Sequence, residues 1–463
     1  MSNSEVEGEV PRRVPRLLIV DQQVSAGGVE RFLHGLLGGL LELDEFKEWD
    51  TTVLLAETNT GGSEVVWPGH LGAPNLEVRF ISRRDRLLKR VFDALNNPRR
   101  VLGIPGTLKA KRVTVDWLAA RFQYQIWGPP PDAAPLVERF CRHREYDVVY
   151  FSYPYQMSCP RVSAPLVATP HDFNYRTFGN TDPRLSALLD RQTGQWVREC
   201  SRLVVSTDFI AGELASYYPQ SSGKVRVVYL GIPESGRVVT DADIDGLKRR
   251  LGLPDDFILT VGWLAGHKNQ KVIIKALGEL KKRGLGTCLV CAGPNSGCFT
   301  PGARPEERGQ GYIQELLREA ERQGVRPGRD VIGLGYVDDF ELDCLYRGAG
   351  ALVVSSLYEA GSFPAREAMR LGCPVVLSRI PPNEEENDRA GGGAWLFEPS
   401  DHVQLADVLS GILRSPETAR DRAGRARAAV RELYSWKKTA AGYLSAFEEA
   451  IGEDRAQCGP GGP

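Results

Sequence analysis

The chain has 463 residues, 42% hydrophobic and 25% charged, with a net charge of −1: a composition of ordinary globular type, too long for one core, for which two domains are expected. The charge balance argues against nucleic acid as a partner, and no apolar run approaches the ~18 residues that span a bilayer. The opening MSNSEVEGEVPRR is acidic without an apolar core, so no secretory leader is expected, and nine cysteines without a framework spacing point to reduced thiols and a cytoplasmic chain.

The first expected strand is RLLIV at 16–20, followed by a loop in which Gly27 and Gly28 open an apolar helix. Such a Gly pair is either a plain turn or a place where backbone approaches a ligand more closely than any Cβ permits. TVLLA at 52–56 and LEVRFI at 76–81 read as further strands. Residues 82–122 then change character, with eleven Lys or Arg against three Asp. Leu87, Leu88, Val91, Phe92 and Leu95 fall at helical spacing among those charges. Two readings stand: a solvated helix with an apolar inner face, or a basic amphipathic helix lying on anionic lipid as a peripheral membrane contact.

YDVVYF at 146–151 and PLVAT at 165–169 are strands, and the second delivers His171 and Asp172 to the carboxyl edge of a parallel sheet, where a side chain reaches a cleft. Asp172 is expected to orient the loop. SRLVVSTDFIAGELASYY gives a strand, a Ser206 and Thr207 cap and a helix; KVRVVYLGIPE closes the first domain with a turn at Gly231. The second domain opens with FILTVG at 257–262, ending on Gly262, and continues WLAGHKNQKVIIKAL. Lys268 there precedes a helix, and a cation at a helix start is unfavourable unless an anion lies beside it. TCLVCA at 287–292 is a strand ending at Gly293. Its Cys288 and Cys291 lie three apart on opposite faces, so with Cys298 they form no expected zinc site.

The stretch from 351 to 385 carries most of the expected chemistry. ALVV is a buried strand, Ser362 an N-cap, Pro364 a first-turn residue, and Gly372 and Pro374 the stop before the next strand. A parallel βαβ unit results, with the amides of Gly361, Ser362 and Phe363 at a helix N-terminus suited to phosphate. Glu359 and Glu367 flank that anion site from different backbone elements.

This stretch resembles the block EGFGLPVLEAMACGVPVV of glycosyltransferase family four, the retaining glycosyl transferases group 1, through Glu359, Gly361, Pro364, Glu367, Ala368, Met369, Gly372, Pro374 and Val375. The resemblance runs over 16–451, densely after 257 and thinly before 162. It implies an α/β chain of GT-B type: two Rossmann-like parallel-sheet domains facing across a cleft, the first at 14–235 on the acceptor side, the second at 246–430 holding the nucleotide-sugar. A helix at 435–452 would cross back, and 1–13 and 454–463 would be disordered tails.

The reaction implied is retaining, metal-independent transfer of a hexose from a UDP- or GDP-sugar to an acceptor hydroxyl. The acceptor class would be a glycan, a lipid-linked sugar or a small molecule in polysaccharide, glycolipid or glycoconjugate synthesis. No cofactor is implied beyond the sugar nucleotide as co-substrate. By resemblance, Glu359 meets the donor sugar, Glu367 the ribose, Lys268 the diphosphate, and His171 lies near the transferring sugar. Gly27, Gly28, Gly262, His267, Gly293 and the 361–363 amides complete the donor site, and Asn383 and Glu384 begin a turn beside the nucleotide. Two departures stand out. Trp263 stands where the family has Arg, which costs one diphosphate cation unless His267 or a cation from elsewhere substitutes, and Ala-Gly-Ser-Phe at 360–363 replaces Gly-Phe-Gly-Leu. The alternatives are a sugar-nucleotide epimerase or hydrolase of the same fold, or a non-catalytic sugar-nucleotide-binding scaffold.

Overall fold

The computed structural model describes residues 13–21, 28–56, 73–81, 132–155, 157–178, 183–300 and 311–458. Gly27, the basic segment at 82–122 and the extreme termini lie outside them. Among the described residues seven strands form the first sheet: β1 (Arg16–Asp21), β2 (Asp50–Ala56), β3 (Leu76–Ile81), β4 (Val148–Phe151), β5 (Leu166–Ala168), β6 (Arg202–Val205) and β7 (Val225–Val227). Their spatial order is β3-β2-β1-β4-β5-β6-β7 and every pairing is parallel. The second sheet holds β8 (Phe257–Val261), β9 (Cys288–Ala292), β10 (Val331–Gly335), β11 (Ala351–Val354), β12 (Val375–Ser378) and β13 (Trp395–Phe397). It is again parallel throughout, in the order β10-β9-β8-β11-β12-β13.

Burial on both faces explains why these strands are short and continuously apolar. Within β1, Leu17 and Ile19 join one core while Leu18 and Val20 join the core on the opposite face. The second sheet divides the same way: Phe257 and Leu259 enter one core and Ile258 the other. Cys288 and Cys291 likewise fall in different cores, as their three-residue spacing requires.

Both sheets reverse direction beside their first strand, at β1/β4 and at β8/β11. In open parallel sheets the crevice outside the carboxyl ends at such a reversal is where ligands bind. The loops after β5, β6, β8, β9 and β11 therefore converge on one cleft.

The last helix, Trp436–Cys458, returns to the first sheet and packs Ala440, Tyr443, Phe447 and Ala450 against Leu36, Leu40 and Tyr150. Thr439 Oγ1 accepts the Gly231 amide at 2.8 Å, fixing the crossing point. The helix does not give way to a tail at 454. It continues to Cys458, because Arg202, buried against its side, binds Glu449 at 2.8 Å and also Glu453. Among the described residues no helix is long and apolar enough to cross a membrane.

Candidate active site

The loop after β11 and the Phe363–Leu371 helix are built as the local sequence dictates. Ser362 is the N-cap, its hydroxyl accepting the Ala365 amide at 3.3 Å, and Gly372 ends the helix in the left-handed region at φ 76°. Gly361 sits at φ 139°, a conformation that disfavours any side chain. Two further glycines close the neighbouring loops. Gly262 and Gly293 have φ of 130° and 125°, and a Cβ on Gly293 would lie 2.5 Å from the Gly262 carbonyl oxygen. The turns after β8 and β9 thus pack backbone on backbone.

Glu359 is 8% exposed, and its Oε1 accepts from Lys268 Nζ at 2.7 Å and from Ser356 Oγ at 2.6 Å. Lys268 stands in a tight turn, Gly266–Lys268, ahead of the Gln270–Lys282 helix. Its positive charge at that helix start is therefore compensated by Glu359 already. Burial and the adjacent Lys268 push the His267 imidazole below its usual range. Trp263 itself is 57% exposed, and its carbonyl accepts from Gln270 Nε2 at 3.0 Å.

Glu367 is buried, with Oε2 bound to the Tyr346 hydroxyl at 2.8 Å and Oε1 to Arg31 Nη1 at 2.9 Å. Burial pushes its carboxyl above the ordinary carboxylate range, while Arg31 and then Tyr346 pull it back. Arg31 belongs to the first domain, on the Gly28–Leu41 helix, and also pairs with Asp339. It crosses the cleft. Neither Arg31 nor Tyr346 was visible in the sequence as a site residue, although the Gly pair three residues before Arg31 points that helix start at the cleft.

His171 follows β5, with its ring edge-on to Phe32 at 5.0 Å. Nε2 lies 2.7 Å from the Ser152 carbonyl, which can only accept, so Nε2 carries the proton and Nδ1 is the acceptor. Burial pushes the imidazole down to about 4. Asp172 Oδ1 accepts the Asn174 amide at 3.0 Å and its carbonyl takes the Tyr155 hydroxyl, the loop-orienting arrangement expected of it. His171, Asp172, Ser206, Glu359, Gly361 and Phe363 line one cavity of about 240 Å³ between the domains, with Phe32 and Arg366.

The cleft is bridged on its far side. Glu385 accepts the amides of Asp208 and Phe209, each at 2.9 Å, so a carboxylate of the second domain caps a helix of the first. Tyr358 takes the Phe173 amide at 2.8 Å and donates to Glu213 at 2.6 Å. Asn383, expected beside the nucleotide, is buried against Ser378, and Glu384 pairs with Arg379 at the surface. These residues do not begin a turn: with Pro381 and Pro382 in its first turn, the segment after β12 is a helix, Pro381–Arg389, which turns Glu385 and Glu386 inward.

Two family models match the chain: Glycosyltransferase Family 4 over residues 26–235 and Glycosyl transferases group 1 over residues 244–429. Together they span every strand of both sheets except β1. The chain belongs to glycosyltransferase family four. Among curated relatives, the D-inositol 3-phosphate glycosyltransferase of Mycobacterium avium (strain 104) is 27% identical over 321 residues, which is 66% of this chain and 70% of that protein. The MMP alpha-(1->4)-mannosyltransferase of Mycolicibacterium hassiacum is 36% identical over 115 residues, 25% of this chain and 28% of its own. Of solved structures, Anabaena Alr3699/HepE in complex with UDP and glucose aligns at a TM-score of 0.61 and 18% identity, covering 93% of this chain and 99% of that one. WaaG, a glycosyltransferase involved in lipopolysaccharide biosynthesis, aligns at 0.57 and 16%, covering 93% and 99%. At those identities the structures establish the fold, which is GT-B, for this family-four chain.

Proposed function

We propose that this family-four enzyme moves a hexose from a UDP- or GDP-sugar to an acceptor hydroxyl, with retention at the anomeric carbon and without a metal ion, in the building of a polysaccharide, glycolipid or other glycoconjugate. The observation that carries this reading is Glu359, which lines the cavity and is held there by Lys268. Both hydrogen bonds that Glu359 accepts among the described residues fall on Oε1, which leaves Oε2 to take a sugar hydroxyl. Lys268 and the 361–363 amides then face the charge that develops on the departing diphosphate, which is electrostatic rather than covalent catalysis. The anomeric carbon to phosphate-oxygen bond breaks with its electron pair going to the diphosphate, and the acceptor oxygen bonds to the same carbon.

With retention, the acceptor approaches the face that the diphosphate leaves, so its hydroxyl proton passes to the departing phosphate oxygen. No protein base is needed for that transfer. A neutral His171 presenting Nδ1 suits this role, accepting from a sugar hydroxyl and holding the ring in place. Glu367, buried beside Arg31 and Tyr346, is assigned to the ribose. The two relatives named for glycosyl and mannosyl transfer support the hexosyl reading. The basic composition of 82–122 supports work at an anionic membrane face, which co-sedimentation with phosphatidylglycerol vesicles would test.

The deciding experiment is a thermal-shift panel of UDP-, GDP- and ADP-sugars on wild type and Lys268→Met, followed by transfer to candidate acceptors and NMR of the product's anomeric centre. One donor series is expected to stabilise wild type and to do so less in the variant. The product should keep the donor's configuration, at a rate unaffected by EDTA. An inverted product, or turnover abolished by EDTA, would overturn the mechanism; binding of no sugar nucleotide at all would overturn the assignment of activity.

A further inference from the structure

Arg366 is the one arginine of the Phe363–Leu371 helix that is buried to 1% exposure, and it lines the interdomain cavity. In the family block quoted above a Leu stands at its position. Its Nε donates to Glu386 Oε2 at 2.6 Å, Nη1 lies 3.5 Å from the Leu230 carbonyl, and the guanidinium sits 4.6 Å from the Tyr434 ring centre. A buried Arg–carboxylate pair frequently closes as a two-pronged fork. Here the fork is open. Arg366 Nη2 and Glu386 Oε1 are both buried, and neither has a hydrogen-bond partner among the described residues.

An unsatisfied buried guanidinium nitrogen bears its full desolvation penalty and calls for a ligand. Its position shows which kind. A Cβ built on Gly361 would come within 2.9 Å of Nη2, so the nitrogen reaches the backbone where the helix begins. The helix has nine residues, and the amides of Gly361, Ser362 and Phe363 at its start donate to no described residue. Free amides, a helix dipole and an unpartnered cation meet at one wall of a cavity of about 240 Å³.

We propose that Arg366 is a second cation for a phosphate group seated at that helix start, acting with Lys268 where Trp263 supplies no charge. This rests on the sugar-nucleotide reading above. The phosphate is either part of the donor's diphosphate or a phosphomonoester on the acceptor, and Nη2 would contact its oxygen in both cases.

Removing Arg366 alone strands Glu386, so the test uses Arg366→Leu/Glu386→Gln, which removes both charges, beside Arg366→Lys, which keeps the charge without the fork. Folding is checked by circular dichroism melting. Calorimetry then measures UDP, GDP, UMP and GMP, followed by inorganic phosphate on protein loaded with the diphosphate that binds. If wild type binds no nucleotide, the sugar-nucleotide reading itself fails, independently of Arg366. With wild type binding, a tenfold or greater loss of diphosphate affinity in the double variant, with the monophosphate unchanged, supports the proposal with the donor as source. Unchanged diphosphate affinity with loss of inorganic phosphate binding supports it with the acceptor as source. Wild-type affinities for all of these probes in both variants overturn it, and Nη2 then holds only water.

Discussion

Replacing Glu367 by Gln separates what the fold needs from what the ligand needs. The carboxylate is buried, and its burial outweighs the pull of Arg31 and Tyr346, so its pKa stands above the ordinary value. For an acid, the sign follows directly. The native state holds the proton more tightly than the unfolded chain, so this group's contribution to stability falls as pH rises from the unfolded pKa through the folded one. At pH 7.5 the neutral amide is therefore expected to leave the fold as stable as wild type or more so. Arg31 keeps Asp339 as a partner and is 31% exposed, so it is not stranded. Ligand binding should move the other way. A charge-assisted bond from a ribose hydroxyl to a buried carboxylate contributes about 1.5–3 kcal/mol, equivalent to roughly 10- to 150-fold in affinity. Urea unfolding at pH 7.5, calorimetry with the preferred nucleoside diphosphate, and calorimetry with inorganic pyrophosphate, which lacks the ribose, measure the three parts. A variant that loses stability while binding nucleotide as wild type does would show Glu367 to be an ion-pair partner for Arg31 and nothing more.

Gly293→Ala should destabilise the second domain by about 1–3 kcal/mol or more, since the new Cβ meets the Gly262 carbonyl oxygen at 2.5 Å on a backbone at φ 125°. A urea midpoint equal to wild type would refute the backbone-on-backbone packing of those two loops. For His171, whose pKa is pushed from 6.5 down to about 4, stability is fully present above 6.5 and falls as pH drops toward 4, because only the unfolded chain takes up the proton in that window. The loss reaches on the order of 3 kcal/mol at pH 4. His171→Gln should lack that slope, and parallel unfolding curves for the two proteins from pH 7 to pH 4 would count against the burial argument.

Glycosyltransferase family four was legible in the chain because its marks are local. Ser362, Pro364 and Gly372 set the start and end of one helix by capping chemistry, and Gly361 was fixed by a backbone angle that only Gly takes readily. Runs such as RLLIV and FILTVG state burial on both faces, which is enough to give parallel sheets and to put His171, Lys268 and Glu359 in loops at strand ends facing a cleft, with Glu367 on the helix that follows. The extent of the last helix was not legible, because its end past Glu453 depends on Arg202, far away in the chain.

What the sequence by itself determined was therefore the set of elements, their caps and the edge of each sheet where ligands bind, since these depend on neighbours within a few residues. Only the tertiary structure decided which charges meet. Arg31 reaches Glu367 across 336 positions, Lys268 is paired with Glu359 across 91, and Arg366 opens into the cavity beside a glycine five residues before it yet answers to Glu386 on another helix. Such pairings are set by how two separately built sheets dock, and a periodic pattern along one segment carries no information about the side chain that will face it from the other domain.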